Sequence, residues 1–234
     1  MVAIDGPAGS GKSTTARAAA EALGYAHLDS GALYRAVTLV ALESGQGPPA
    51  WRGERLAEIA RERGVTLELP GPAGAGTWEV RVGSGPAGDA LREERVTRNV
   101  SEVSAMPPVR DYVNAILRRA AAGGGVVLDG RDIGTVVFPD ADVKVFMVAD
   151  ADERARRRLA ERGRAVDAGA VAGEAAALTL RDQRDSTRAT APLARAPDAV
   201  TLDTTRMSFA EQVGAVVELV RRVAASLDPA GGAR

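Results

Sequence analysis

Cysteine is absent from the 234-residue chain. This excludes disulfide staples, thiolate metal sites and a cysteine nucleophile, and it fits a reducing compartment. A single histidine, His27, is present, so a Ser-His-Asp triad or a multi-histidine metal site would rest on that residue alone. Neither sign of charge is in excess. With 30 basic and 31 acidic residues the net charge is −1, which disfavours a general nucleic-acid coat or a polybasic membrane anchor. No apolar run approaches the ~18 residues of a membrane span. The N-terminal stretch shows neither a basic n-region nor an apolar h-region. The expectation is a cytoplasmic protein with no nucleic-acid or membrane partner. Lysine is also scarce: only Lys12 and Lys144 occur, and every other basic residue is arginine. A lysine kept in a glycine-rich loop therefore stands out.

Hydrophobic residues make up 45% and charged residues 26%, a globular balance. The length suits one α/β domain with a lid or insertion, or two small domains. Val2-Ala3-Ile4-Asp5 reads as a buried strand, followed by a glycine-rich turn and an alanine-rich helix to about Leu23. Further short apolar runs at 25–29, 126–129, 143–148 and 199–203 alternate with helical patterns. That alternation predicts βαβ units and a parallel sheet. Between them, Val65, Leu67 and Leu69, then Trp78, Val80 and Val82, alternate with polar residues across a turn-rich stretch, 70–76. This predicts a small antiparallel insert, continuing into helices at about 92–106 and 108–121. A last helix starts at Ser208, with Ser208 and Glu211 forming a capping-box pattern and Phe209, Val213, Val216, Val220, Val223 and Leu227 a core-facing stripe. Residues after Asp228 are expected to fray.

Gly6-Pro7-Ala8-Gly9-Ser10-Gly11-Lys12-Ser13 matches G-x-x-x-x-G-K-[ST] between a strand and a helix. Glycines let the backbone wrap so that successive N–H groups point at phosphate oxygens, and the helix N-terminus adds partial positive charge. Lys12 brings a full charge to the β- and γ-phosphates, and the Ser13 hydroxyl is a ligand for Mg²⁺. Asp129, ending the apolar strand Val126-Val127-Leu128, is a second candidate, directly or through water; its bland reading is a turn-capping strand end. A guanine-reading Asn-Lys-x-Asp motif is excluded, because Lys144 follows Val143. A small kinase remains, and it needs a second pocket for a phosphorylated acceptor.

Three constellations can supply that pocket: Asp29-Ser30-Gly31-Ala32-Leu33-Tyr34-Arg35, Asp129-Gly130-Arg131-Asp132, and Arg181, Asp185 and Arg188 on one helix face. Each also has a bland reading, as a capped helix start, a turn and a surface ion-pair ladder. Residues 152–164 hold six arginines. Their spacing alone favours a solvated helix with i,i+4 ion pairs over a cationic flap. His27 is assigned a structural role in its strand.

Taken together these segments resemble the bacterial cytidylate kinases. The matching pieces are Gly6–Thr14, Leu28–Arg35, Val100-Ser101 through Pro108-Val109-Arg110, Leu128–Ala141, Glu153-Arg154-Ala155 with Arg157-Arg158, and Arg181–Arg188 with Ala191-Pro192-Leu193. They run in order over nearly the whole chain. The Asp-Gly-Arg-Asp-Ile-Gly-Thr-Val-Val-Phe-Pro segment beginning at Asp129 is the most specific.

The resemblance implies an α/β P-loop kinase core of five parallel strands flanked by helices, spanning about 1–35 and 122–234. It implies a monophosphate-binding insert at about 36–121 with a small antiparallel sheet, and a short lid at about 151–170. The implied reaction moves the γ-phosphoryl group of ATP to CMP or dCMP with Mg²⁺, on a monomer. Gly6 to Thr14 bind ATP. Arg35 and Arg131 hold the acceptor phosphate. Ser30, Ser101, Arg110, Asp132 and Arg188 lie on the cytosine side, with Gly130 beside them. Arg181 and Asp185, with Ser101, contact the sugar, and Tyr34 packs near sugar or base. Arg157 and Arg158 fall in the lid, and with Lys12 and Arg131 they form the catalytic cations. Another small-molecule P-loop kinase, for UMP, AMP or a non-nucleotide acceptor, is the alternative enzyme. A nucleotide-dependent binding module is the non-enzymatic one.

Overall fold

A computed structural model describes residues 1–45, 47–70 and 76–227. In chain order the strands are β1 (Val2–Asp5), β2 (Ala26–Asp29), β3 (Val65–Glu68), β4 (Gly76–Thr77), β5 (Glu79–Val82), β6 (Gly85–Pro86), β7 (Val126–Gly130), β8 (Val143–Val148) and β9 (Val200–Asp203). The helices are α1 (Lys12–Leu23), α2 (Ser30–Glu43), α3 (Gly53–Glu62), α4 (Glu94–Val103), α5 (Pro107–Ala120), α6 (Ala151–Glu161), α7 (Ala168–Thr187) and α8 (Phe209–Leu227).

The large sheet is parallel, in the order β4-β2-β7-β1-β8-β9. Successive side chains of a strand face opposite sides, and the core divides accordingly. Leu28, Val126 and Leu128 pack with Leu33, Val37, Val113 and Leu117 from α2 and α5. Ile4, Val127, Val145 and Met147 face the other way, onto Ala16, Ala19 and Ala20 of α1 and Val216 and Val220 of α8. With both faces covered, strands such as Val126-Val127-Leu128 are apolar without alternation.

The sheet has six strands where the resemblance implies five. The extra one is β4, two residues added to the edge of β2. Trp78 donates its N–H to the His27 carbonyl at 2.8 Å and carries the chain from this sheet into the antiparallel one, β3-β5-β6. A two-residue strand is too short to show a period, so only its pairing reveals it. Residues 71–75 of the expected turn, and the expected fraying after Asp228, lie outside the described residues.

The capping box at α8 forms: Ser208 N–H donates to Glu211 Oε2 at 2.7 Å and Glu211 N–H to Ser208 Oγ at 3.3 Å. Phe209, expected to face the core, is instead 54% exposed, and the packing of α8 onto the sheet begins further along, with Val213, Val216, Val217 and Val220. Among the described residues no helix is long and apolar enough to cross a membrane.

Candidate functional site

The loops after β1, β2 and β7 leave the same, C-terminal edge of the large sheet, where open α/β sheets bind ligands. Between them and helices α4 to α7 lies a cavity of about 460 Å³.

One wall is the loop from β1 to α1. Gly6 has φ +153°, and a Cβ there would stand 2.1 Å from the Met147 carbonyl oxygen, so only glycine lets the chain leave the sheet here. Gly11 caps α1 without a side-chain bond, which leaves the first amides of the helix to an anion. Gly9, Gly11, Lys12, Ser13 and Thr14 line the cavity, with Ala8 at its rim. Gly6, Pro7 and Ser10 lie behind it. The Pro7 carbonyl accepts from Lys12 Nζ at 2.9 Å and from Ser10 Oγ at 3.1 Å, so Lys12 is folded back over its own loop. Burial, and then the charge of Arg131, lower the Lys12 ammonium to about 7. A polyphosphate would reverse that shift.

Beneath Lys12, Asp129 is 1% exposed. One of its oxygens meets His27 Nε2 at 2.8 Å and the other accepts from Ser13 Oγ at 2.5 Å. Burial pushes its carboxyl up. The hydrogen bond and charge of His27, with Lys12 and Ser13, outweigh this and hold it below the usual range. Asp29 pairs with Asp129 across β2 and β7. It caps α2, accepting from Ala32 N–H at 3.2 Å, so its bland reading and its place on the cavity wall are both correct. The hydroxyl of Ser13 and the carboxylates of Asp129 and Asp29 are hard oxygen donors that suit Mg²⁺ completed by water and phosphate oxygens. Among the described residues no cluster of three or more acidic, histidine or cysteine side chains forms a self-sufficient metal cage.

The opposite end is polar in a different way. Arg110 (2% exposed) and Asp132 (4%) form a buried ion pair. Arg110 also donates to the Ser104 carbonyl at 3.0 Å, and its guanidinium lies 5.5 Å from the Tyr34 ring centre. Arg188 reaches the other Asp132 oxygen at 3.5 Å. Burial outweighs Arg110 and Arg188 and raises the Asp132 carboxyl. The pair is held by the turn after β7: Asp5 accepts from Ile133 N–H at 2.8 Å and Gly134 N–H at 2.7 Å. A Cβ on Gly130 would meet Ser30 Oγ at 2.6 Å, while Ser30 Oγ itself donates to the Asp129 carbonyl at 2.8 Å.

Between the two ends stand Arg35, Arg131, Arg158 and Arg181. Arg131 Nε bonds Asp185 at 3.1 Å. Arg181 Nε is buried without a hydrogen-bond partner, 4.0 Å from Asp185, and burial together with Arg131 lowers its guanidinium to about 9. Crowded cations with an unsatisfied donor favour a bound anion.

Two candidate site residues lie off the cavity wall, and two expectations need correction. Ser101 is absent from the wall, where α4 and its C-cap present Thr97, Val100 and Ser104. Arg157 is absent from it too: it bonds the Thr204 carbonyl at 2.6 Å, Glu153 at 2.8 Å and the Ser10 carbonyl of the β1–α1 loop at 3.5 Å. Arg188 follows α7 in extended backbone rather than continuing its face. The arginine-rich helix is only partly solvated, since Arg154 is 7% exposed and pairs with Asp182, and Arg158 with Glu174 at 2.9 Å. The reading from sequence also missed Arg92, Thr97, Ser104 and Arg162 on the wall. They sit in helices and loops with no local motif, and only their packing reveals them.

The family model described as cytidylate kinase matches residues 2–222. Similar proteins named cytidylate kinase include that of Salinibacter ruber, 48% identical, covering 94% of this chain and 96% of its own. That of Limosilactobacillus fermentum is 43% identical, covering 95% and 96%. That of Chlorobaculum tepidum is 43% identical, covering 95% and 93%. The chain belongs to the cytidylate kinase family.

Proposed function

We propose that this protein is a cytidylate kinase, transferring the γ-phosphoryl group of ATP to CMP or dCMP to give ADP and CDP or dCDP. The observation that carries the reading is one cavity with a phosphate-binding loop at one end and the buried Arg110–Asp132 pair at the other.

In this reading Gly6 to Thr14 cradle the ATP phosphates, with Lys12 at the β- and γ-oxygens. Ser13 and Asp129 would hold Mg²⁺, directly or through water, and the ion would supply charge neutralisation. Arg35 and Arg131 grip the acceptor phosphate, because a planar guanidinium binds phosphate bidentately. Asp132 accepts from the cytosine amine, and Arg110 donates to the ring acceptors. Arg188 and Ser30 support that pair, and Gly130 leaves room for it. Arg181 and Asp185, with Ser101, serve the sugar side, and Tyr34 packs against sugar or base. Arg158 faces the transferring group. Arg157, bonded to the loop at the Ser10 carbonyl, is the second lid cation for the ATP phosphates. Phosphoryl transfer has a loose transition state, so aligning donor and acceptor and stabilising charge are the main tasks. A monophosphate acceptor is already anionic at neutral pH, so no His or Cys base is required.

The chain divides into a core at 1–35 and 122–234, an insert at 36–121 and a lid at 151–170. The protein works as a cytoplasmic monomer without nucleic-acid or membrane partners. The test is ADP release across a panel of nucleoside monophosphates. CMP and dCMP are expected to lead by at least ~10-fold in kcat/KM. Preference for UMP, AMP or a non-nucleotide acceptor contradicts the reading.

A further inference from the structure

Ala8 belongs structurally to the α6–α7 pair as much as to the loop that contains it. Its N–H donates to Asp182 Oδ1 of α7 at 3.1 Å. Its carbonyl accepts from Arg154 of α6 at 3.0 Å. Arg154 and Asp182 pair with each other, closing a ring through the peptide groups on both sides of one residue. The Ala8 methyl group packs with Ala155, Leu159, Val171, Ala175 and Leu178, a cluster separate from the two that flank the sheet. Next along the loop, a Cβ on Gly9 would come within 3.1 Å of the Arg154 carbonyl oxygen, so the backbone there runs against α6.

The residue before Asp182 in α7 is Arg181, and one turn on is Asp185, both on the cavity wall. A helix is stiff over such a span, so a small shift of α7 at Arg181 or Asp185 is a shift at Asp182 as well. We infer that Asp182 is a positioning residue that couples the acceptor end of the cavity to the ATP-binding loop: a monophosphate engaging α7 sets, through Asp182 and Arg154, the orientation of the Ala8 peptide groups. This inference rests on the functional reading above. Asp182 touches neither nucleotide in it.

The coupling is a free energy between two sites and is read as the factor by which one ligand changes the affinity for the other. The measurement is calorimetric binding of a non-hydrolysable ATP analogue with and without saturating CMP. In the unmodified protein CMP is expected to tighten the analogue about tenfold. In Asp182→Ala the factor is expected to fall below about twofold, while each ligand alone binds within about threefold of the unmodified protein. Asp182→Asn keeps an oxygen for the Ala8 N–H and loses the ion pair with Arg154. It is expected below about threefold, and it serves as the test if the alanine variant does not fold. A purely structural role would weaken both ligands and leave the factor unchanged. An unchanged factor in a folded variant, or none in the unmodified protein, overturns the inference. Absence of CMP binding to the unmodified protein overturns the functional reading, and this inference with it.

Discussion

His27 and Asp129 form a buried pair at the bottom of the site, Nε2 to Oδ1 at 2.8 Å, which turns the other Asp129 oxygen towards Ser13. The chain's only histidine is therefore a strand residue, as its sequence position implies, and also the group that fixes a carboxylate of the site. Groups that orient a metal-binding side chain typically change metal affinity or activity 10–100-fold when removed.

Replacing His27 by Phe keeps a ring of similar size and removes the bond. The Mg²⁺ concentration for half-maximal velocity is expected to rise about tenfold, with the KM for CMP within about twofold. Steady-state titrations of Mg²⁺ and of CMP separate the two. A parallel rise in both constants would show general damage rather than misdirection of Asp129.

Lys12 titrates at about 7 in the free protein, lowered by burial and by Arg131. At pH 8 it is mostly neutral, while ATP phosphates favour its charged form. ATP binding at pH 8 is thus expected to take up close to one proton, because the γ-phosphate is then largely ionised. Affinity is expected to fall as pH rises above 7. Calorimetry in buffers of different ionisation enthalpy reads the proton count. Release of protons, or no exchange, contradicts this.

Asp5 carries a stability signature of opposite kind to most carboxylates. Burial raises it to about 6 despite bonds from Gly134 and Ile133 N–H groups. The folded chain therefore holds the proton more tightly than the unfolded one. The contribution is fully present below about pH 4 and is lost as pH rises through 6. A shift of two units corresponds to on the order of 3 kcal/mol. Urea unfolding of the unmodified protein and of Asp5→Asn, at pH 4 and 7, is expected to show the difference between them changing by about that amount, against the unmodified protein at the higher pH.

The β1–α1 loop was legible because its chemistry is contiguous: glycines, Lys12 and Ser13 within eight positions, between a strand and a helix. The Arg110–Asp132 pair was legible only through the family resemblance, since nothing local joins residues 22 apart. Arg154 shows the limit most clearly. Its spacing from Glu153, Arg157 and Arg158 is that of a solvated helix, yet it is buried by a partner 28 residues away. Thr97 and Ser104 reach the wall where Ser101 does not, because Val96 and Val103 turn another face of α4 into the core.

Base selection is the most direct measure of what this site is for. UMP presents a carbonyl where CMP presents an amine, and an N3–H where CMP has an acceptor. It would set acceptor against Asp132 and donor against Arg110. Buried mismatches of that kind cost ~1–3 kcal/mol each. The measurement is kcat/KM for CMP and UMP in the unmodified protein and in Asp132→Ala. The unmodified protein is expected to favour CMP by one to two decades or more. The variant is expected to lose far more activity on CMP than on UMP, drawing the two towards parity with the KM for ATP little changed. A CMP/UMP ratio that is the same in both proteins would contradict base reading by the Arg110–Asp132 pair.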